Sequence, residues 1–256
     1  MTTDSFYDDV APYYHLIYPD WEASIERQAK GLAEVLVEFG VAPGAAILDA
    51  ACGIGTQALG LAARGYRVTA SDIAPAAVAR ARREADARHL SMDFAVGDLR
   101  TLSATHRRTF QAIVACDNAI PHLLSDVEIQ RAFRECRRCL APGGVLLVSV
   151  RDYDTTERKT PDVHPYPVRV KDGVRFAAEQ VWEWDGDQYD MTLRVNVEAA
   201  GERSVQNFRT RYYAIGLTRL AAMMAAAGFT QVLRRDEHFF QPPRSVSDSL
   251  PPVCAQ

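Results

Sequence analysis

The sequence predicts a doubly wound α/β fold, a mostly parallel seven-stranded sheet with a small antiparallel β insertion before its last two strands. Three observations predict it. Short, nearly continuous apolar runs recur at 45–50, 66–71, 92–97, 110–116 and 144–150, the pattern of strands buried on both faces. Helical periodicity lies between several of them, at Gln57–Arg64, Ala76–His89 and Asp126–Leu140, and alternating strand and helix implies right-handed crossovers. After Asp154 the texture changes to apolar–polar alternation with turn signals, which belongs to antiparallel hairpins.

From Trp21 to Phe39 the residues Ile25, Ala29, Leu32, Val35 and Leu36 keep helical spacing, and Gly40 ends the helix. The first strand then breaks into Gly53-x-Gly55 ahead of the next helix. The second strand ends at Asp72, the third at Gly97-Asp98-Leu99 and the fourth at Asp117-Asn118. The helix 126–140 is closed by APGG, and GVLLVSV (144–150) leads into RDYD (151–154). TTERKTPDVHPYP (155–167) reads as a loop, while KDG and DGDQ are hairpin turns of a meander from about Val168 to Tyr213. A helix Leu217–Ala227, Gly228 as its cap and the strand FTQVLRR (229–235) return the chain to the main sheet. The tail QPPRSVSDSLPPVCAQ, with its four prolines, reads as poorly ordered.

Composition narrows the function. The 256 residues are 48% hydrophobic and 24% charged, with a net charge of -4, so no clustered basic excess points to nucleic acid. No apolar run approaches the ~18 residues of a membrane span, and the acidic N-terminus MTTDSFYDDV is unlike a signal peptide. The expectation is a cytoplasmic protein without membrane attachment; the sequence leaves a homo-oligomer open. Five scattered cysteines fit reduced, buried thiols. Cys136-x-x-Cys139 has neither a second pair nor a nearby histidine, so packing is the reading and no metal is expected.

Glycine is needed where the chain turns with positive φ or where a ligand lies against bare backbone. Alone, Gly53-x-Gly55 fits a structural turn as well as a ligand loop. Asp72, about 20 residues on at the next strand tip, is where a carboxylate accepts both hydroxyls of a ribose. Acidic residues at the following strand ends outline a pocket for an adenosine without phosphate. A dinucleotide loop carries a third glycine where this chain has Ala58, and Asp49 beside a phosphate is unfavourable, whereas beside a sulfonium or ammonium it is favourable.

ILDAACGIGTQ, SDIA, GDL and LAPGG together resemble the class I S-adenosylmethionine-dependent methyltransferases, from about Ile47 to Val150. The resemblance implies a Rossmann-like core with S-adenosyl-L-methionine as cofactor and S-adenosyl-L-homocysteine as product. It implies Gly53 and Gly55 beneath the methionine part, Asp72 on the ribose, Asp98 and Leu99 at the adenine, and Asp117 at the pocket floor. Asp49, Ala51, Gln57 and Ile73 complete the expected cofactor contacts, Ala51 standing where many members have glycine.

A narrower similarity, carried by DNAIPHL (117–123), RDYD (151–154) and FRTRYY (208–213), is to the glycine and glycine/sarcosine N-methyltransferases. That group implies an arginine on the methionyl carboxylate, which Arg27 matches in position; read alone, Arg27 is a solvated helix charge. Tyr7, Tyr13, Tyr14, Tyr18 and Trp21 either close over the cofactor or dock the first helix. Expected domains are a helical cap at 1–40, a cofactor-binding α/β core at 41–154, an antiparallel insertion or lid at 155–207, a return to the core sheet at 208–240 and a flexible tail at 241–256.

The expected reaction is in-line methyl transfer to a small molecule, most simply N-methylation of a small amine or amino acid. Asn118, His122, Asp152 and Tyr212 are the candidate acceptor-orienting or proton-handling groups, and Tyr18, Arg151, Trp182 and Arg211 the candidate acceptor contacts. Where glycine-type enzymes read RNYD, this chain has Asp152; pointed into the pocket, it would disfavour an anionic acceptor. The alternatives are an O- or C-methyltransferase of a small metabolite, a non-catalytic binder of S-adenosylmethionine and a nicotinamide oxidoreductase.

Overall fold

The computed structural model describes residues 2–171, 173–235 and 252–255. The strands β1 (Ala46–Asp49), β2 (Arg67–Asp72), β3 (Asp93–Val96), β4 (Phe110–Ala115) and β5 (Leu140–Ser149) form a parallel sheet in the order β3-β2-β1-β4-β5. Asp49 is level with Ala70 of β2 and Val114 of β4. The helices are α1 (Thr3–Val10), α2 (Trp21–Glu38), α3 (Thr56–Ala63), α4 (Pro75–Ala87), α5 (Leu102–Thr105), α6 (Asp126–Cys139) and α7 (Leu217–Ala226). Caps fix their starts: Asp20 accepts from the Ala23 amide at 3.0 Å to open α2, and Ser125 accepts from the Glu128 amide at 3.3 Å to open α6.

A side-chain period of two sorts the strands between two cores. Leu48, Ile113, Leu146 and Val148 pack with Phe133 and Cys136 of α6 and with Leu220 and Met224 of α7. Ile47, Val114, Val145 and Leu147 pack the opposite face with Leu32 and Leu36 of α2 and Leu61 of α3. Both faces are covered, so successive residues are all apolar. Cys136 and Cys139 are free and buried, as packing residues.

After β5 the chain builds a separate sheet from β6 (Asp162–Pro165), β7 (Arg169–Lys171), β8 (Val174–Asp185), β9 (Gln188–Ala199) and β10 (Glu202–Tyr213). Its order is β10-β9-β8-β6, with β7 also pairing β8. Tyr189, Met191, Leu193 and Val195 alternate inward from β9 and meet Phe208 and Tyr212 of β10 and Phe6 and Val10 of α1. The main sheet then continues through β11 (Val232–Arg234) and β12 (Pro252–Ala255), with β12 antiparallel to both β5 and β11.

The main sheet has seven strands: five pair in parallel, β12 is antiparallel to β5, and β11, antiparallel in turn to β12, runs in the direction of the five. Three expectations need correction. The antiparallel meander starts before Val168, because β6 occupies part of the stretch read as loop, inside the expected insertion; its prolines obscure the strand but are tolerated beside a sheet edge. The boundary expected at 207 falls inside β10, which is exposed from Glu202 to Asn207 and largely buried from Phe208 to Tyr213, so its polarity changes while its pairing does not. Finally, Pro252–Ala255 of the expected tail pairs with β5, a strand hidden in the sequence by the flanking prolines; the rest of that tail lies outside the described residues.

The close approach of α2 and α3 supports the wall on which the glycine turn sits. A Cβ on Gly60 would lie 2.4 Å from the Ala29 Cβ and 2.7 Å from the Ile25 carbonyl oxygen. Gly60→Ala is therefore expected to destabilise the fold by about 2 kcal/mol through overpacking, read as a lower urea midpoint with an unchanged slope.

Candidate active site

The parallel strands aim their C-terminal ends at one edge, and strand order reverses between β1 and β4, where an open α/β sheet offers a crevice. A cavity of about 550 Å³ lies there, walled by the β1–α3 turn, the tips of β2, β3 and β4, the N-terminal segment and Thr210 and Arg211 of β10. Gly53 and Gly55 have φ of +51° and +98°, left-handed conformations in which glycine pays no Cβ penalty. They turn the chain so that Ala50–Ile54, Thr56 and Gln57 line the cavity.

Negative charge collects around this turn. Asp49 is 1% exposed, directly behind the lining residues, and neither carboxylate oxygen has a hydrogen-bond partner. Burial pushes its pKa up to about 7, an effect the amides of Ala51 and Ala58 moderate and Asp72 reinforces. Asp72 accepts from the Gly53 amide at 2.8 Å and the Ala74 amide at 3.0 Å, which fix its carboxylate at the β2 tip. Burial also raises the Asp72 pKa, against those same amides. At the β3 tip burial opposes ionisation of Asp98, but hydrogen bonds from Arg100 hold its pKa below the usual carboxylate range. Ile73, Asp98, Leu99 and Arg100 all line the cavity, and Arg100 is further paired with Glu128.

The β4 tip carries two successive non-glycine residues with positive φ, Asp117 at +56° and Asn118 at +66°, residue types that tolerate this region best. The corner is held by Ser149, whose Oγ accepts from the Asp117 amide at 2.7 Å and whose carbonyl accepts from the Asn118 amide at 3.0 Å. It sends Asp117 into the cavity, where Tyr18 donates to it at 2.8 Å and Tyr14 at 3.4 Å. The aromatic segment therefore divides its work. Tyr7, Tyr14 and Tyr18 line the cavity, whereas Tyr13 packs on Phe208 and Trp21 donates to Thr56 Oγ1 at 2.9 Å within the buried dock of α2.

His122 also lines the cavity, with Nε2 at 2.9 Å from the Tyr7 hydroxyl and Nδ1 at 3.4 Å from Thr210 Oγ1. Burial pushes its pKa down to about 3, so the imidazole is neutral. Behind it Tyr212 stacks at 4.1 Å from His122 and at 5.1 Å from Tyr189, opening an aromatic layer against the second sheet. Arg151 enters this layer with its guanidinium 4.3 Å from the Trp182 ring and Nη1 donating to the Tyr189 hydroxyl at 3.3 Å. Burial opposes its charge, but the surrounding tyrosines, Tyr189 first, raise its pKa.

Several expected site residues take other roles. Asp152 does not point into the cavity: Oδ2 pairs with Arg234 at 3.0 Å and Oδ1 accepts from the Asp154 amide at 3.1 Å. Asn118 is buried, with Nδ2 donating to Tyr153 at 2.8 Å and Oδ1 accepting from the Arg151 amide at 3.0 Å, so both ends of its amide are engaged within the wall. Tyr212, Arg151 and Trp182 lie behind the wall, outside the lining set. Arg211 lines the cavity but is paired with Asp190 and Asp185. Arg27 donates to Ser24 Oγ at 3.0 Å and does not line the cavity; Gln57 does, its amide donating to Gln28 at 2.7 Å. Thr2–Asp4, Leu123–Leu124 and Thr210 complete a wall that the sequence reading missed, because tertiary contacts alone bring them there. Among the described residues no group of three or more His, Cys, Asp or Glu side chains gathers as a metal site, and no helix is long and apolar enough to cross a membrane.

Residues 47–144 match the family described as Methyltransferase domain. Over 135 residues the chain is 29% identical to a glycine/sarcosine N-methyltransferase of Parasynechococcus marenigrum, covering 53% of this chain and 47% of the relative. Over 107 residues it is 36% identical to a ubiquinone biosynthesis O-methyltransferase of Xanthomonas campestris, covering 42% and 43%. The chain thus spans less than half the length of either curated relative. The solved structure of CalS10 with S-adenosylmethionine bound, an amino pentose methyltransferase of Micromonospora echinaspora involved in calicheamicin biosynthesis, matches with a TM-score of 0.75 at 22% identity, over 90% of this chain and 91% of that one. That likeness is one of fold.

The raised Asp49 pKa makes the ligand-free protein pH-sensitive. A carboxyl that holds its proton up to about pH 7 when folded, against 3.8 ordinarily, removes stability progressively as pH rises between those values. Asp49→Asn is expected to flatten this dependence, so that the melting advantage of the variant grows from about pH 5 to about pH 8. Parallel melting curves for the two proteins would contradict the assignment.

Proposed function

This chain carries a class I S-adenosylmethionine-dependent methyltransferase domain, and we propose that it transfers the methyl group of S-adenosylmethionine to the nitrogen of a small amine or amino acid. The observation that carries the reading is the charge of the cleft. Asp49, Asp72, Asp98 and Asp117 come from four strand ends, the cleft arginines Arg100 and Arg211 are tied to carboxylates, and Asp49 has no partner of its own. Such a site favours a cationic nucleoside and disfavours pyrophosphate.

S-adenosylmethionine supplies an electrophilic methyl on a positively charged sulfur. Asp72, aimed by two backbone amides, is placed to receive ribose hydroxyls, and Asp98 with Leu99 to flank the base. The turn at Gly53 and Gly55 leaves room for the chain of the cofactor against bare backbone. Tyr7, Tyr14 and Tyr18 cover the cavity and exclude water from the transfer. His122 is too weak a base to take a proton from an ammonium at neutral pH, so it orients the acceptor together with Tyr7, and the amine reacts in its neutral form.

Nitrogen is favoured as the acceptor by Tyr7, Tyr14 and Tyr18, whose rings line the cavity where an ammonium would arrive. The turning away of Asp152 removes the like charge that weighed against an anionic acceptor. A small amine, with or without a carboxylate of its own, fits both features.

The test is product analysis by mass and fragmentation after incubation with S-adenosylmethionine and glycine, sarcosine, simple amines or hydroxyl compounds. Methylation at nitrogen is expected. Methyl found only on oxygen or carbon, or cofactor binding without turnover on the whole panel, would overturn the reading.

A further inference from the structure

Asp117 lines the cavity at the tip of β4, in company with the rings of Tyr7, Tyr14 and Tyr18. Tyr7 and Tyr14 have centroids 5.9 Å apart at 61°, and Tyr14 and Tyr18 have centroids 6.2 Å apart at 72°. Rings inclined this steeply do not stack; they meet edge to face, as adjoining walls of a box. Tyr14 and Tyr18 also donate to the same Asp117 oxygen, Oδ2. Burial and the nearby Asp117 charge raise the pKa of both phenols, so the hydroxyls keep the protons they donate.

The cavity offers nothing comparable to an anion. Among the described residues that line it the arginines are Arg100 and Arg211, the first paired with Asp98 and Glu128 and the second with Asp185 and Asp190. His122 is neutral, and Arg151 lies outside the lining with its guanidinium against the Trp182 ring. Against these stand the lining carboxylates Asp4, Asp72, Asp98 and Asp117.

We propose that Asp117, boxed by Tyr7, Tyr14 and Tyr18, is the receptor for the ammonium group of the acceptor, and that it selects cationic amines carrying no carboxylate. This rests on the reading of the protein as an amine methyltransferase and narrows it. An ionised carboxylate accepts about four hydrogen bonds, so an ammonium N–H bonds beside the two phenols while the ring faces attract its charge. After loss of one proton to water, the neutral amine that reacts keeps a remaining N–H on Asp117. The positive charge that methylation leaves on nitrogen then arises beside this carboxylate, which stabilises it as it develops. A carboxylate next to the amine would instead be brought up to Asp117, where the lining cations are already matched, and like charges so placed repel.

Glycinamide and glycine have the same number of heavy atoms, but at neutral pH the first is a cation and the second a zwitterion. Their affinities for the full chain can be compared by NMR titration with S-adenosyl-L-homocysteine bound, so that no methyl is transferred. Glycinamide is expected to bind at least about tenfold tighter than glycine, the scale of sparing a partly desolvated site one like charge. Asp117→Asn should weaken glycinamide and bring the two ligands to within about threefold of each other. Tyr14→Leu should lower glycinamide affinity about fivefold, the scale of one cation–π wall, without reversing the preference. The parent comparison needs no substitution, and the amide spectrum certifies the fold of each variant. Glycine bound by the parent within about twofold of glycinamide, below the scale of such a repulsion, would overturn the proposal. So would no glycinamide binding, or an undiminished preference in folded Asp117→Asn. The expected pattern in a protein that methylates no amine would overturn the reading of the reaction while leaving the ammonium receptor standing. A nitrogen-methylated product from glycine, with glycine bound as tightly as glycinamide, would do the reverse.

Discussion

A carboxylate sealed behind a glycine turn with no hydrogen bond to its oxygens is the constraint around which this molecule is organised. Asp49 ends the central strand of the parallel sheet, and a buried charge moderated only by the amides of Ala51 and Ala58 is costly to hold in such an interior. A fold tolerates such a cost where a ligand of opposite charge repays it. The neighbouring strand tips add carboxylates instead of cancelling Asp49, so the cleft is poised for a cation.

The layer behind the cavity wall obeys a different rule. There the Arg151 charge is stabilised by a ring face and by phenol oxygens in place of carboxylates. Cavity and layer meet at the β4 corner, where Asp117 faces the cavity and Asn118 faces the tyrosine and arginine network. Two left-handed residues in succession make this division, because their backbone sends adjacent side chains to opposite tasks.

The parallel sheet and its glycine turn were legible in the sequence for a physical reason. Strands covered on both faces show as unbroken apolar runs, and the turn at Gly53-x-Gly55 demands residues that no ordinary helix or strand would use. The layers around the second sheet were less legible. The direction of Asp152 is set by Arg234, 82 positions away, and local pattern carries no trace of that pair. The depth of Trp182 depends on how the second sheet leans on α1, whose Phe6 and Val10 share its core. Prolines hid β6 and β12, since a strand at or near a sheet edge accepts them and a pattern reader does not.

The central claim is that ionised Asp49 and its neighbours recognise a sulfonium nucleoside. Titration calorimetry with S-adenosylmethionine across the range on either side of about pH 7, the Asp49 value, tests it most directly. The account predicts binding that strengthens as pH rises through that value and a weaker pH dependence in Asp49→Asn, with no heat from a nicotinamide dinucleotide. Uptake of the dinucleotide without any response to S-adenosylmethionine at either end of the range would contradict it.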